Sequence, residues 1–157
     1  MLLRRGPDFL PYSWFLLTTT ATLSVGLSIL TSALIFPDLP LDSGATLILF
    51  LVSTAFYYAI LLINGYTPRF VQTMTAILGA DVVLTIAYTA AYVILSLVAD
   101  RGSALIMVLL ISYWSVPVQG HIIARAIQRH WLVGVGIAIV AHLLMLTVYR
   151  AIANPVA

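Results

Sequence analysis

The chain has 157 residues, of which 62% are hydrophobic and only 8% are charged, and its formal net charge at pH 7 is +2. It contains no Lys, no Glu and no Cys. This composition excludes a soluble domain, which would need many charged side chains to cover its surface. It also excludes a basic nucleic-acid surface, disulfide bonds, thiolate metal sites and iron–sulfur clusters.

Apolar stretches long enough to cross a bilayer as helices, which takes about 20 residues, fill most of the chain. In chain order the predicted spans are 14–36, 43–64, 70–99, 103–128 and 131–152. Helix-breaking residues lie at several of their ends: Pro37, Pro40, Gly65, Pro68 and Gly102. We therefore predict an all-α fold, in which residues 1–157 form a single integral membrane domain with five transmembrane helices.

The arginines near the span ends predict how the bundle is oriented, because positively charged loops tend to remain in the cytoplasm. The side of the N-terminus carries Arg4, Arg5, Arg69, Arg125 and Arg129, and the opposite side carries only Arg101 and Arg150. The N-terminus is therefore predicted to be cytoplasmic, with the C-terminus on the other side. The alternative is a secretory signal cleaved near Ala33, but its apolar run of about 23 residues exceeds the usual 7–15.

Ionisable side chains within a span are costly and therefore mark candidate functional positions. Asp81 lies 12 residues after Arg69, and His142 lies 13 residues after Arg129. These separations correspond to about 18 and 19.5 Å of helix, so the two side chains share one depth. We predict that both face the bundle interior and pair directly or through water. A structural hydrogen bond between two spans, a proton or ion pathway, and no contact at all remain open.

A basic face at the cytoplasmic end of the fourth span is a second candidate. His121 and Arg125 lie four residues apart, on one side of the helix, and Arg129 continues this face. It can bind a lipid phosphate or an acidic partner, but ordinary positive-inside anchoring is the interpretation we favour. A haem held by His121 and His142 is excluded, because the two differ by about 13 Å in depth.

Small residues and one proline indicate how the helices pack. A row of small polar residues at intervals of four runs along the first span: Thr20, Ser24, Ser28 and Ser32. Such rows let helices approach closely, so we predict a packing ridge rather than a solute path, and expect Gly79, Gly134 and Gly136 to act similarly. Pro117 lacks the N–H that would donate to the Tyr113 carbonyl and therefore predicts a kink in the fourth span.

The sequence offers no pattern typical of an active site. It has no nucleophile–base arrangement, no phosphate-binding glycine loop and no cluster of metal-ligand residues. One intramembrane Asp and one His lack the further groups that hydrolysis or transfer chemistry needs. We therefore predict a non-enzymatic protein with no catalytic residues, no cofactor and no metal.

Two parts of the chain resemble bacterial Yip1-like membrane proteins. Residues 64–79 (NGYTPRFVQTMTAILG) are similar to the start of that family's third helix, with a glycine, a basic-aromatic pair and Gln-Thr. Residues 114–119 and 122–126, with the apolar span after them, are similar to its closing helical hairpin. The resemblance implies five helices and a non-catalytic protein that acts through other membrane proteins or lipids. The Asp-Leu-Tyr-Gly-Pro type motif of eukaryotic members is absent, so small-GTPase partners are not implied.

Two functional hypotheses follow. The leading one is an accessory or scaffold subunit of the bacterial inner membrane, which binds membrane proteins, lipids or a second copy of itself through small-residue faces. The alternative is a small transporter or channel component with a polar route past Asp81, His142 and the Pro117 kink.

Overall fold

The computed structural model describes residues 11–35, 43–98 and 101–153. The helices are α1 (Trp14–Ile35), α2 (Ser43–Ile63), α3 (Phe70–Val98), α4 (Arg101–Ala126) and α5 (Trp131–Ala153), with a 3-10 turn at Thr67–Arg69. These five helices are each long and apolar enough to cross a membrane, and the described ranges contain no strand. The predicted all-α bundle with five spans is therefore confirmed.

The predicted helix bounds lie within two residues of the described ends. α4 differs most, since it begins at Arg101 instead of Ser103 and ends at Ala126 instead of Gln128. The predicted ends at Phe36 and Ala99 lie outside the described residues. So do Arg4 and Arg5, on which the predicted orientation partly depends, and the orientation remains a prediction.

α2 ends in a motif that reverses the chain with two hydrogen bonds. The Gly65 N–H donates to the Leu62 carbonyl over 3.1 Å, and the Tyr66 N–H donates to the Leu61 carbonyl over 2.8 Å. Gly65 has a φ of 77°, in the left-handed region where a side chain is strained. This is the Schellman motif, which satisfies carbonyls that the end of a helix leaves free.

α4 ends in the same way without a glycine. The Gln128 N–H donates to the Arg125 carbonyl over 3.4 Å, and the Arg129 N–H donates to the Ala124 carbonyl over 2.9 Å. Gln128 takes the left-handed position, with a φ of 53°. The left-handed turn at Gln128 is the physical reason why α4 is shorter at this end than the sequence predicts.

The α2–α3 and α4–α5 connections lie together at one end of the bundle, which we call the Arg69 end. The Tyr66 hydroxyl and the Gln128 side-chain oxygen lie 3.2 Å apart and are hydrogen-bonded. Arg69 donates from Nη1 to the Ala126 carbonyl over 3.2 Å, and its guanidinium carbon lies 5.1 Å from the centre of the Tyr66 ring. Arg69 therefore hydrogen-bonds to the C-terminal end of α4, which is the negative end of the helix dipole.

α3 is central: it packs against α1 and α4, and α4 packs against α5, whereas α2 makes far fewer contacts with its neighbours. Buried apolar side chains form two clusters. The larger lies toward the Arg69 end and includes Tyr57, Leu61, Met74, Ile77, Leu78, Ile123, Ala126, Ile127, Ala138 and Ala141. The smaller, toward the other end, contains Ile35, Tyr92, Ala104 and Val108.

α4 and α5 cross with their backbones in contact. A Cβ atom added to Gly120 would lie 2.6 Å from the Val135 Cα, and one added to Gly134 would lie 2.8 Å from the Ala124 backbone nitrogen. The predicted packing role therefore holds for Gly134. Gly79 and Gly136 make no such close contact with another described helix, because a Cβ atom at either position would meet nothing within 4 Å.

Candidate functional site

A cavity of about 370 Å³ lies in the middle of the bundle, and all five helices line it. Its lining consists of Ser24, Val25, Ser28, Thr46, Leu49, Phe50, Ser53, Tyr57, Ile77, Leu78, Asp81, Gln119, Ala141, His142 and Met145. Counted from the helix ends at the Arg69 end, Ser24, Asp81 and His142 lie about 15–17 Å into the bundle. Because the hydrocarbon core is about 30 Å thick, the cavity is placed near mid-membrane.

Asp81 is the acidic side chain in the lining of the cavity. Its Oδ2 accepts a hydrogen bond of 2.5 Å from the hydroxyl of Ser24, which is buried between α1 and α3. A carboxylate has acceptor positions for several donors, so this one bond leaves capacity for further donors. In the part of the chain that the structure describes, no other acidic side chain is present and no arginine lines the cavity.

His142 faces the same cavity but bonds elsewhere. Its Nδ1 lies 2.9 Å from the Ala138 carbonyl oxygen, and its Nε2 lies 3.4 Å from the Ser115 hydroxyl. Since a carbonyl only accepts, Nδ1 carries a proton and donates it to Ala138. The structure therefore brings Asp81 and His142 to one cavity, and the hydrogen bonds described for each of them go to other residues.

A second cavity, of about 250 Å³, lies between α3, α4 and α5. Ser112, Ser115 and Tyr88 contribute hydroxyl groups to its lining. Asp81 and His142 are the two residues that line both cavities. Asp81 and His142 therefore lie where the two cavities adjoin. Together the cavities place polar side chains across the width of the bundle.

Tyr57 and Gln119 form the wall of the larger cavity toward the Arg69 end. Tyr57 is only 6% exposed, and its hydroxyl donates to Gln119 Oε1 over 3.1 Å. Tyr57 also belongs to the larger apolar cluster, whose members Leu61 and Met74 lie farther toward that end. The apolar cluster therefore separates the cavity from the loops at the Arg69 end.

The predicted ridge on α1 divides into residues with different surroundings. Ser24 bonds to Asp81 and Ser28 lines the cavity, whereas Thr20 bonds to the Leu16 carbonyl of its own helix and Ser32 is exposed. α1 does pack against α3, where the Thr31 and Thr89 hydroxyls lie 2.9 Å apart and are hydrogen-bonded. Two of the four ridge residues, Ser24 and Ser28, thus line the cavity.

The other sequence candidates lie away from the cavity. Arg125 and Arg129 are exposed and His121 is half-buried, all near the Arg69 end, and none of them lines either cavity. Pro117 is exposed and is likewise outside both linings, and α4 continues through it as one helix. At this level of α4, Ser115 and Val116 line the second cavity and Gln119 lines the larger one.

Sequence reasoning missed several residues of the site: Ser53, Tyr57, Ser115 and Gln119. Gln119 carried a usable signal, because an amide within an apolar span needs a partner. The three hydroxyl residues did not, since Ser and Tyr in a span can bond within their own helix or face lipid. Ser53, for example, donates to the Phe50 carbonyl over 2.9 Å.

The fold and the site define the class as a polytopic α-helical membrane protein with a cavity at mid-membrane that polar and apolar side chains line together. Comparison with known proteins finds no family model, no curated protein and no solved structure that matches this chain. The Yip1-like resemblance therefore stays a prediction. In the described ranges, no group of three or more His, Cys, Asp or Glu side chains is placed to hold a metal ion.

Proposed function

We propose that this protein is a non-enzymatic component of a transporter or channel, and that a small solute binds in the larger cavity beside Asp81. The cavity itself is the observation that supports the proposal. Its volume of about 370 Å³ falls in the range of small-molecule sites, which is about 300–1,000 Å³. Secondary transporters typically hold their substrates near mid-membrane, between helices.

The energetics of the lining favour a functional role over simple packing. An ionised side chain at the middle of a span costs about 2.5–3.5 kcal/mol on insertion scales, and each unmatched polar group adds to that cost. A bundle that needed only to pack would bury apolar side chains alone at this level. Here each of the five helices adds at least one polar side chain to the cavity lining, beside the apolar ones.

Cysteine labelling tests whether water and solutes reach the cavity, and the chain is suited to it because it contains no Cys. Ser53→Cys places a thiol in the cavity wall, and Leu51→Cys places one on the outer face of the same helix, where Leu51 is 64% exposed and would contact lipid. Thiols react as thiolates, which form in water and not in lipid. With a charged methanethiosulfonate reagent on proteoliposomes, we expect Ser53→Cys to react about tenfold faster or more.

Equal labelling rates at the two positions, or no labelling of Ser53→Cys, would rule out a solute-accessible cavity. Adding the membrane-impermeant reagent to one side at a time also reports which face of the membrane the cavity opens to. The same measurement, made on right-side-out cells, tests the predicted cytoplasmic N-terminus.

A second candidate function is the accessory or scaffold role, which the position of α2 favours. α2 packs only sparsely against the other helices and presents outward-facing side chains that include Leu47, Leu51 and Leu62. A Yip1-like protein in the bacterial inner membrane would use such a face to bind other membrane proteins, lipids or a second copy. Purification in a gentle detergent, followed by native mass spectrometry, should then recover a stoichiometric complex or a homo-oligomer. A strictly monomeric particle would count against this role.

A further inference from the structure

The larger cavity has one acidic side chain in its lining. Its titratable side chains are Asp81, His142 and Tyr57. His142 has partners for both ring nitrogens away from the carboxyl group, since Nδ1 lies 2.9 Å from the Ala138 carbonyl oxygen and Nε2 lies 3.4 Å from the Ser115 hydroxyl. The Tyr57 hydroxyl donates its hydrogen to Gln119 and remains uncharged. Asp81 is therefore the group in this lining that is suited to pair with a cation.

The carboxylate of Asp81 is incompletely matched by the protein. Ser24 supplies its hydrogen bond from α1, and the Asp81 side chain also lines the cavity. A carboxylate at mid-membrane is stabilised by an opposite charge or by a proton. A cationic ligand in the cavity would supply the missing charge and the missing donors together.

The cavity is too large and too apolar for a bare metal ion. Its volume of about 370 Å³ is many times the roughly 30 Å³ share of one water molecule. Aromatic and aliphatic side chains line it together with the polar ones, among them Phe50, Tyr57 and Met145. Aromatic rings attract organic cations, and apolar side chains bind hydrocarbon. This lining fits a molecule with one cationic group and an apolar body.

We propose that the cavity binds a small organic monocation, an aliphatic or aromatic amine, with its ammonium group on Asp81 and its hydrocarbon part against Phe50 and Met145. This inference rests on the proposed function and deepens it, because it names the chemical class of the solute. Asp81 pairs with the positive charge of the ligand, and the apolar side chains of the lining select its size and shape.

Binding of three matched probes to the full-length protein in nanodiscs tests the proposal. The probes are 2-phenylethylamine, which is a cation at pH 7, 2-phenylethanol, which is neutral, and 3-phenylpropionate, which is an anion. Equilibrium dialysis should show the amine binding about tenfold tighter or more than either analogue, a difference of about 1.4 kcal/mol. Asp81→Asn should remove this preference and leave the weak binding of the alcohol unchanged. Ser112→Ala, which alters only the second cavity, should change neither.

A second variant guards against misfolding of Asp81→Asn. Phe50→Ala keeps the carboxylate and removes an aromatic ring from the lining, so it should weaken amine binding several-fold while a preference for the amine over the alcohol persists. Equal binding of amine and alcohol by the unmodified protein, or preference for the anion, would overturn the proposal. If none of the probes binds while Ser53→Cys is still labelled, the amine class is wrong and the accessible cavity stands. If Ser53→Cys is not labelled, the proposed function itself fails.

Discussion

Replacing Gly134 by alanine is expected to lower the free energy of unfolding by about 3 kcal/mol, near the upper end of the usual cost of overpacking. The added Cβ would lie 2.7 Å from the Ala124 Cβ and 2.8 Å from the Ala124 backbone nitrogen. Neither atom can rotate away, because one belongs to the backbone and the other is fixed to it. α4 and α5 would have to separate along the crossing, which would also disturb the buried contacts of Ile123 and Ala138.

The matched control lies two residues farther along the same helix. A Cβ atom at Gly136 would meet nothing within 4 Å, so Gly136→Ala should leave stability unchanged or raise it by up to about 1 kcal/mol through helix propensity. Reversible unfolding in mixed detergent–SDS micelles, followed by circular dichroism, measures both variants. If Gly134→Ala proves as stable as Gly136→Ala, the close crossing of α4 and α5 is incorrect.

The second large effect concerns the hydrogen bond between Ser24 and Asp81. Hydrogen bonds to charged groups contribute about 1.5–3 kcal/mol, although side-chain hydrogen bonds within membrane proteins average closer to 0.6 kcal/mol. We expect Ser24→Ala to lower the free energy of unfolding by about 1.5 kcal/mol, because it removes the donor and leaves the carboxylate unmatched. In an Asp81→Leu background the same change should have little effect. The double-mutant cycle should therefore give a coupling energy of about 1.5 kcal/mol.

Ser28→Ala provides the control for this cycle. Ser28 lies one helical turn from Ser24 and lines the same cavity, and the hydrogen bond to Asp81 is made by Ser24. Its effect should add to that of Asp81→Leu with a coupling below about 0.5 kcal/mol, as is usual for sites that share no contact. Equal coupling at Ser24 and Ser28 would show that α1 is rotated relative to α3 in the folded protein.

The five helices follow directly from the sequence because a membrane span depends on length and apolarity, which are local properties. The shared depth of Asp81 and His142 follows as well, since every residue of a helix adds the same rise. The rotation of each helix about its own axis is not local. It is set by the neighbouring helices, and for this reason the sequence pointed Asp81 toward His142 while the structure gives it Ser24 as a partner.

The glycines illustrate the same limit. Gly134 and Gly136 are separated by about 200° around the helix, so they face nearly opposite directions. Which of the two glycines contacts α4 is known only once the position of α4 is known. Likewise, nothing in the side chain of Gln128 predicts a left-handed turn that glycine usually makes. Both features depend on how separate segments meet, which residue type alone does not reveal.

The contact between α4 and α5 makes the walls of the cavity mechanically unequal. On one side the two backbones touch at Gly120 and Gly134, so displacement there would break close packing along the whole crossing. On the other side α2 contributes five lining residues but packs sparsely against its neighbours. Movement of α2 would disrupt the fewest packing contacts. A change in the volume of the cavity therefore costs the least free energy when α2 is the helix that moves. The cavity thus has a rigid wall at the α4–α5 crossing and a more easily displaced wall at α2, and Asp81 lies between them.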